Sequence, residues 1–346
     1  MRTFNDLMKR LIITVILLVG CVSSADAQDD TTEIIIDGTI HYGNELYSLV
    51  ERSNITYLWD ITDSIDSILG KLERPVLPPA LGTFETERGR VLDLYPFPDT
   101  VVFLMDVARF AFKRNEYLGA IHFYRKAAEL APDMSTPLAQ LGNCYYTIQE
   151  FDSARAVLLR AIDINPHDFT AYWVLADTYH RMDSLDRAWD HLLMTHLLNR
   201  NEEDIRKALF RYRADMGMNW DNWEFIPRYH AYRDSADSML VHVTSHPVCA
   251  GYALAKAFWE FEPGYRENMA PGADVIAGVN MTEEVEAFHM AYPLLRDSLP
   301  IDDILFAGYL HEFIVYEMIA PKHPVILLTI DPASRQRVAE YVNRFH

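Results

Sequence analysis

Three consecutive windows of equal length, 101–134, 135–168 and 169–202, carry the same kinds of side chain at the same offsets. The twentieth position is small every time (Ala120, Ala154, Ala188), and a large residue stands four places later (Tyr124, Leu158, Leu192). Alanine recurs at the twenty-seventh position (Ala127, Ala161) and proline at the thirty-second (Pro132, Pro166); the third window reads Thr195 and Arg200 there. A unit this short cannot bury its own apolar face. It is stable only when stacked on further units, so the period predicts an array completed at both ends by other helices.

Within each window the apolar spacing is helical. In the second, Leu138, Leu141, Gly142 and Tyr145 share one face of a first helix, and Phe151, Ala154, Leu158 and Ala161 form the answering face of a second. Gly142 predicts a close crossing, where a side chain would hold the two backbones apart, while Phe151 and Leu158 fill the groove between them. Pro166 ends the second helix, because its ring blocks the preceding turn and it has no N–H to donate. The first window offers Leu104, Val107, Ala108 and Ala111 for its first helix, and the third Tyr172, Leu175, Ala176 and Tyr179.

Over residues 101–202 this pattern resembles the tetratricopeptide repeat, and the chain is identified from it as all-α: an α-solenoid of tetratricopeptide-type helix pairs (101–134, 135–168, 169–202) with additional C-terminal helices. The resemblance implies a protein-interaction scaffold rather than an enzyme, and the leader read below adds the expectation of an exported bacterial protein. It also implies an inner groove lined by the second, fifth, ninth, twelfth and thirteenth positions of each first helix. From these positions the candidate partner contacts are Met105, Arg109, Phe112 and Lys113, then Asn143 and Tyr146, then Trp173, Asp177, His180 and Arg181. Aromatic and arginine anchors are the usual affinity centres of interfaces. Chaperone-binding members of the family clamp a C-terminal carboxylate. Asn143 stands at the clamp's asparagine position, but Met105 replaces its lysine and Thr170 and Val174 its third-repeat basic pair, so that function does not carry over. The competing occupant of the groove is the chain's own terminal helices.

Residues 1–27 read as a leader: Arg2, Lys9 and Arg10 precede an apolar run, Leu11–Gly20, too short to span a bilayer. Two cleavage sites compete. Leu18-Val19-Gly20-Cys21 resembles a bacterial lipobox that would leave Cys21 lipidated, and Ala25-Asp26-Ala27 is an A-x-A site for ordinary signal peptidase. The position of Cys21 directly after the apolar run favours lipidation, hence a membrane-anchored periplasmic lipoprotein; the alternative is a soluble periplasmic or secreted form. No later stretch approaches a membrane span. Loss of residues 1–27 removes three basic and two acidic side chains and takes the net charge from −19 to −20. Such a surface repels nucleic acid, which leaves protein partners of the cell envelope as the expected ligands.

Residues 28–100 are expected to form an arm, a helix and a linker. The helix rests on Tyr57, Leu58, Ile61, Ile65, Ile68, Leu69 and Leu72, and the linker on Pro75, Pro78, Pro79, Pro96 and Pro98. Beyond Asn201 the period fades. Helical patterns continue at Ile205–Tyr212, Val248–Phe261, Glu283–Leu295 and Ile304–Ile319, Val325–Ile330 reads as an extended link, and Asp331-Pro332 caps a last helix, so 203–346 is expected to be divergent and helical. Trp220 and Trp223, with Tyr229 and Tyr232, offer a second class of function, an aromatic platform for a glycan or peptide; the plainer reading packs them at a helix junction. His242 and His246 lie four apart, as zinc ligands on a helix would, but no further ligand matches and coincidence is the better account. No catalytic motif, metal set or cofactor loop is present, and Cys144 reads as a buried small hydrophobe.

Overall fold

The computed structural model describes residues 34–36, 39–41, 53–61, 65–78, 81–86, 89–94, 96–221, 223–235, 237–244, 247–269, 275–276, 278–295 and 300–346. The leader, both cleavage sites with Cys21, and His246 lie outside them. Along the chain a short hairpin, β1 (Ile34–Ile36) and β2 (Thr39–His41), precedes strand β3 (Thr56–Ile61) and helix α1 (Ile65–Leu69). A second hairpin, β4 (Leu81–Thr86) and β5 (Gly89–Leu94), leads into seven helices: α2 (Asp99–Lys113), α3 (Tyr117–Leu130), α4 (Ser135–Thr147), α5 (Phe151–Ile164), α6 (Phe169–Arg181), α7 (Leu185–Leu198) and α8 (Glu203–Asp215). After them come β6 (Tyr229–Ser235), β7 (Ser238–Val243), α9 (Pro247–Phe261), α10 (Tyr265–Met269), β8 (Val275–Ile276), β9 (Val279–Asn280) and α11 (Met281–Leu295). Next are α12 (Ile301–Phe306), α13 (Leu310–Phe313) with a π-helical turn at Ile314–Ile319, α14 (Ile326–Thr329) and α15 (Pro332–Phe345). The chain forms two compact units: residues to Glu73 with Phe225–Ile314, and Arg74–Glu224 with Val315–His346.

The second unit is the helical solenoid. Helices α2 to α7 form three antiparallel pairs, and every small residue that marks the period is buried: Ala120, Ala127, Ala154, Ala161 and Ala188 are all fully enclosed. Gly142 is where the period needs it, since a Cβ there would stand 2.5 Å from Leu158 Cγ and Cδ2 on the paired helix. Each pair turns through one left-handed residue, at Asn115, Gln149 and Asp183, which are themselves one period apart. The backbone carries that period further than the side chains do. Helix α8 begins at Glu203, one full period after α6 begins at Phe169, and Gly217 (φ 71°) repeats the turn. The solenoid therefore has a fourth first helix where the sequence pattern has faded. Among the described residues between Gly217 and β6, none is helical.

Polar side chains fasten the solenoid's outer segments. Asn199 accepts from the backbone N–H of Leu77 and donates to its carbonyl, Asn201 donates to the carbonyls of Pro75 and Pro321, and Asn165 donates to that of Leu81. These bonds order the proline-rich stretch, which holds the β4–β5 hairpin rather than a plain linker. Asp331 caps α15 by accepting from the N–H groups of Ala333 and Ser334, as its sequence position before proline predicts. Val325–Ile330 forms the short helix α14, not the extended link its β-branched ends suggested.

In the first unit, β3 lies parallel to β7 and β7 antiparallel to β6. The helix expected from Tyr57 to Leu72 is thus a strand followed by the one-turn α1. Tyr57 and Ile65 are buried, but the strand's partner, Ser238–Val243, lies far along the chain, beyond the reach of local periodicity. Helices α9 and α11 pack on each other. Gly251 permits this, since a Cβ there would collide with the carbonyl oxygen of Met290. Ala253 and Ala257 are buried in this separate core.

The solenoid is expected to be acid-sensitive through His191. Its ring stacks on Tyr179 at 5.3 Å, and burial, with Arg187 nearby, lowers its pKa to about 4. The unfolded chain takes up that proton near the ordinary value of 6.5, so stability falls as pH drops through the window between the two values. Between pH 7 and pH 5 this group alone should remove up to about 2 kcal/mol. Urea midpoints at both pH values should therefore differ less in His191→Phe than in the wild type; equal differences would refute the assignment.

Candidate functional site

The inner face of the first helices is built by α2, α4 and α6. Their offsets place Arg109, Lys113 and Arg181 in solvent and leave Phe112, Asn143, Tyr146 and Trp173 half-buried. Met105 is the exception: it is 7% exposed and belongs to the repeat core, so it is a packing residue. Phe112 meets Tyr117 edge-on at 5.3 Å, and Tyr146 leans on Phe151 at 6.0 Å, so both rings are held by the second helix of their own repeat. Thr147 donates to the carbonyl of Asn143, which leaves the Asn143 amide out of that bond. Burial, with Asp177 close by, raises the Tyr146 pKa against the opposing pull of Arg181 and Arg211, so this phenol is neutral and available as a donor.

Asp177 and His180 are already engaged. The fourth first helix, α8, lies beside them: Tyr212 donates its hydroxyl to Asp177 Oδ1, and Asp215 Oδ2 is 2.8 Å from His180 Nε2. The His180 and Tyr212 rings are 4.6 Å apart. One end of the groove is therefore occupied by the chain itself, through the next first helix and not through a terminal one. What stays accessible is a strip with Arg109, Lys113 and Arg181 as cations and Phe112, Tyr146 and Trp173 as aromatic surface.

Trp220 and Trp223 do not form an open platform. Trp223 donates to the carbonyl of Phe345 and stacks on His346 at 4.6 Å, while Trp220 packs between His346 and Trp189. The cavity beside them is about 20 Å³, roughly the room one water needs. Beneath it lies an ionic cluster that sequence reading missed. Glu317, fully buried, is 3.6 Å from the Arg200 guanidinium, accepts from the Tyr341 hydroxyl and pairs with His346 Nε2 at 2.8 Å. Arg200 also covers the Tyr316 ring at 4.3 Å. The only trace of it in sequence is a charged residue at the place where the third window should have proline.

A second polar cluster, in the other unit, also escaped the sequence reading. Lys256 on α9 is bridged by Glu283 and Glu284 of α11, Tyr252 donates to Glu284, and Trp259 and Tyr265 donate to Glu286. The two carboxylates hold the Lys256 pKa above its usual value despite burial. This is a brace that ties α9 to α11. Likewise His242 sits on strand β7, not on a helix, and its Nδ1 pairs with Asp60 Oδ2 at 2.7 Å. The described residues contain no group of side chains placed to hold a metal, and no helix long and apolar enough to cross a membrane. Cys144 and Cys249 are both free thiols, and burial pushes the Cys144 thiol up to about 12, so it behaves as a hydrophobe.

Residues 111–177 match the family model of the tetratricopeptide repeat. No curated protein matches the chain. Similar solved structures include the first TPR domain of human RPAP3, 18% identical over 34% of this chain and 93% of that one, TM-score 0.33. The Sgt2 TPR domain from Aspergillus fumigatus is 18% identical over 35% of this chain and 81% of that one, TM-score 0.34. The type III secretion translocator chaperone SycD of Yersinia enterocolitica is 16% identical over 35% of this chain and 97% of that one, TM-score 0.33.

Proposed function

We propose that this tetratricopeptide-repeat protein is a non-enzymatic scaffold that receives an extended segment of a partner protein along the strip from Arg109 to Arg181. The observation that carries the reading is the half-buried Trp173–Tyr146 surface on adjacent first helices. Large aromatic surface is left beside cations in a chain of net charge −19, while the neighbouring Asp177 and His180 are closed off by α8. Such a strip suits a segment with apolar anchors and at least one carboxylate, which Arg109, Lys113 or Arg181 meets. The N-terminal leader supports an envelope location, with Cys21 as the lipidated residue or cleavage after Ala27 as the alternative.

The test is a photo-crosslinking residue placed at Tyr146 in intact cells, with the same residue at exposed Leu118 as the control. The partner recovered from Tyr146 is then titrated against purified protein. Trp173→Ala should weaken binding by about 2 kcal/mol or more, because truncating a central aromatic anchor typically costs that much. Arg181→Ala, at the solvent-exposed end, should cost less than about 1 kcal/mol. Equal affinity of wild type and Trp173→Ala, with unchanged thermal stability, would place the partner surface elsewhere.

A further inference from the structure

The outer face of α2, at the N-terminal edge of the solenoid, differs from the corresponding face of every later first helix. Its third and tenth repeat positions are Phe103 and Phe110, 66% and 63% exposed. The equivalents one, two and three periods on are Pro137, Ala171 and Ile205, then Cys144, Thr178 and Tyr212, and all are buried against the preceding helices. So the repeat geometry makes this a face that receives helices, and α2 presents its two largest side chains there. The rim is altered too: Arg114 stands where the later units place the part-buried Ile148, Met182 and Met216.

We propose that this face pairs with the same face of a second copy of the chain, with the two α2 helices antiparallel about a two-fold axis between Asp106 and Val107. The stripe reads Asp99, Phe103, Val107, Phe110, Arg114, one side of a helix at its own spacing. Run antiparallel against itself, it sets Phe103 over Phe110 of the other copy and Asp99 opposite Arg114 of the other copy, each twice by symmetry. That self-complementarity identifies the occupant. An unrelated apolar partner would gain nothing from an acid at one end and a base at the other. Arg114 already lies over the Phe110 ring, 5.5 Å from its centroid, and its Nε pairs with Glu116 at 2.8 Å, a solvent-exposed contact that leaves the rest of the guanidinium for Asp99 of the other copy. The charge balance also permits it: within and just past α2, Arg109, Lys113 and Arg114 are matched by Asp99, Asp106 and Glu116, so this edge is locally neutral in a chain of net −19.

Sedimentation velocity of the whole protein over about 1 to 100 µM tests this, since a specific exposed interface should associate in that range. The wild type is expected to be dimeric at the upper end. Phe103→Asp should raise the dissociation constant about a hundredfold or more, with an unchanged helical circular-dichroism spectrum because the residue is exposed. Asp99→Arg and Arg114→Asp should each weaken the dimer by setting like charges face to face. Asp99→Arg combined with Arg114→Asp should restore it, since the opposed pair is merely reversed. A wild type that stays monomeric throughout, a dimer indifferent to Phe103→Asp, or a double variant as weak as the singles would overturn the pairing. A monomer that instead captures a helical segment of another protein on Phe103 would give the face to a different occupant.

Discussion

Arg200→Met should lower the stability of the solenoid unit by about 3–5 kcal/mol, the cost of stripping one member from a buried ion pair. The reason is Glu317, which is fully buried and faces Arg200, itself only 3% exposed. The Tyr341 hydroxyl and His346 Nε2 both meet Glu317 Oε1, so without the guanidinium the Oε2 atom facing Arg200 at 3.6 Å has nothing beside it to offset its burial. Glu317→Gln in the Arg200→Met background should recover a large part of the loss. The amide removes the stranded charge, and its oxygen can still accept from Tyr341. Denaturant titration of the four proteins yields the coupling directly, and an interaction energy below about 0.5 kcal/mol would mean the two side chains act independently.

Gly251→Ala should be the next most damaging substitution, about 2 kcal/mol once alanine's helix propensity is set against an upper-end overpacking cost, and worse than the same change at Gly142. At Gly251 the new methyl meets the carbonyl oxygen of Met290, a backbone atom that moves only if α11 moves. At Gly142 it meets Leu158 Cγ and Cδ2 at 2.5 Å, a fully buried side chain that must change its rotamer but can do so without carrying a helix backbone with it. Overpacking of a tight core typically costs about 1–3 kcal/mol, and alanine's higher helix propensity returns about 1 kcal/mol at either site. The net loss at Gly142 should then be about 1 kcal/mol. The measurement is the thermal midpoint of each variant; a larger drop for Gly142→Ala would reverse the argument about which clash can relax.

Local chemistry was enough to read the repeat helices from the sequence, because each window repeats the same small-for-close-approach and large-for-groove choices, and neighbours on a helix face are only three or four positions apart. The tight crossing at Gly142, the buried alanines and the Asp331 cap are all consequences of neighbours within one period. The same register puts Arg109, Lys113 and Arg181 on the exposed side of their helices, but it did not foretell that Met105 is buried in the repeat core. What was not legible depends on partners far along the chain. Thr56–Ile61 carries β-forming residues, yet its apolar spacing also fits a helix, and only pairing with Ser238–Val243 decides between them. The β4–β5 hairpin was hidden by its flanking prolines. The helix at Glu203–Asp215 was legible from Ile205–Tyr212, but its place as a fourth first helix was hidden because its side chains no longer match the pattern, although its backbone turn at Gly217 does. Tertiary structure alone closes Asp177 and His180 with α8 and folds Trp220 and Trp223 around His346. Periodicity reports which side of an element is apolar. Which distant segment covers it depends on the whole chain's competition for that surface, and no single repeat window contains that competition.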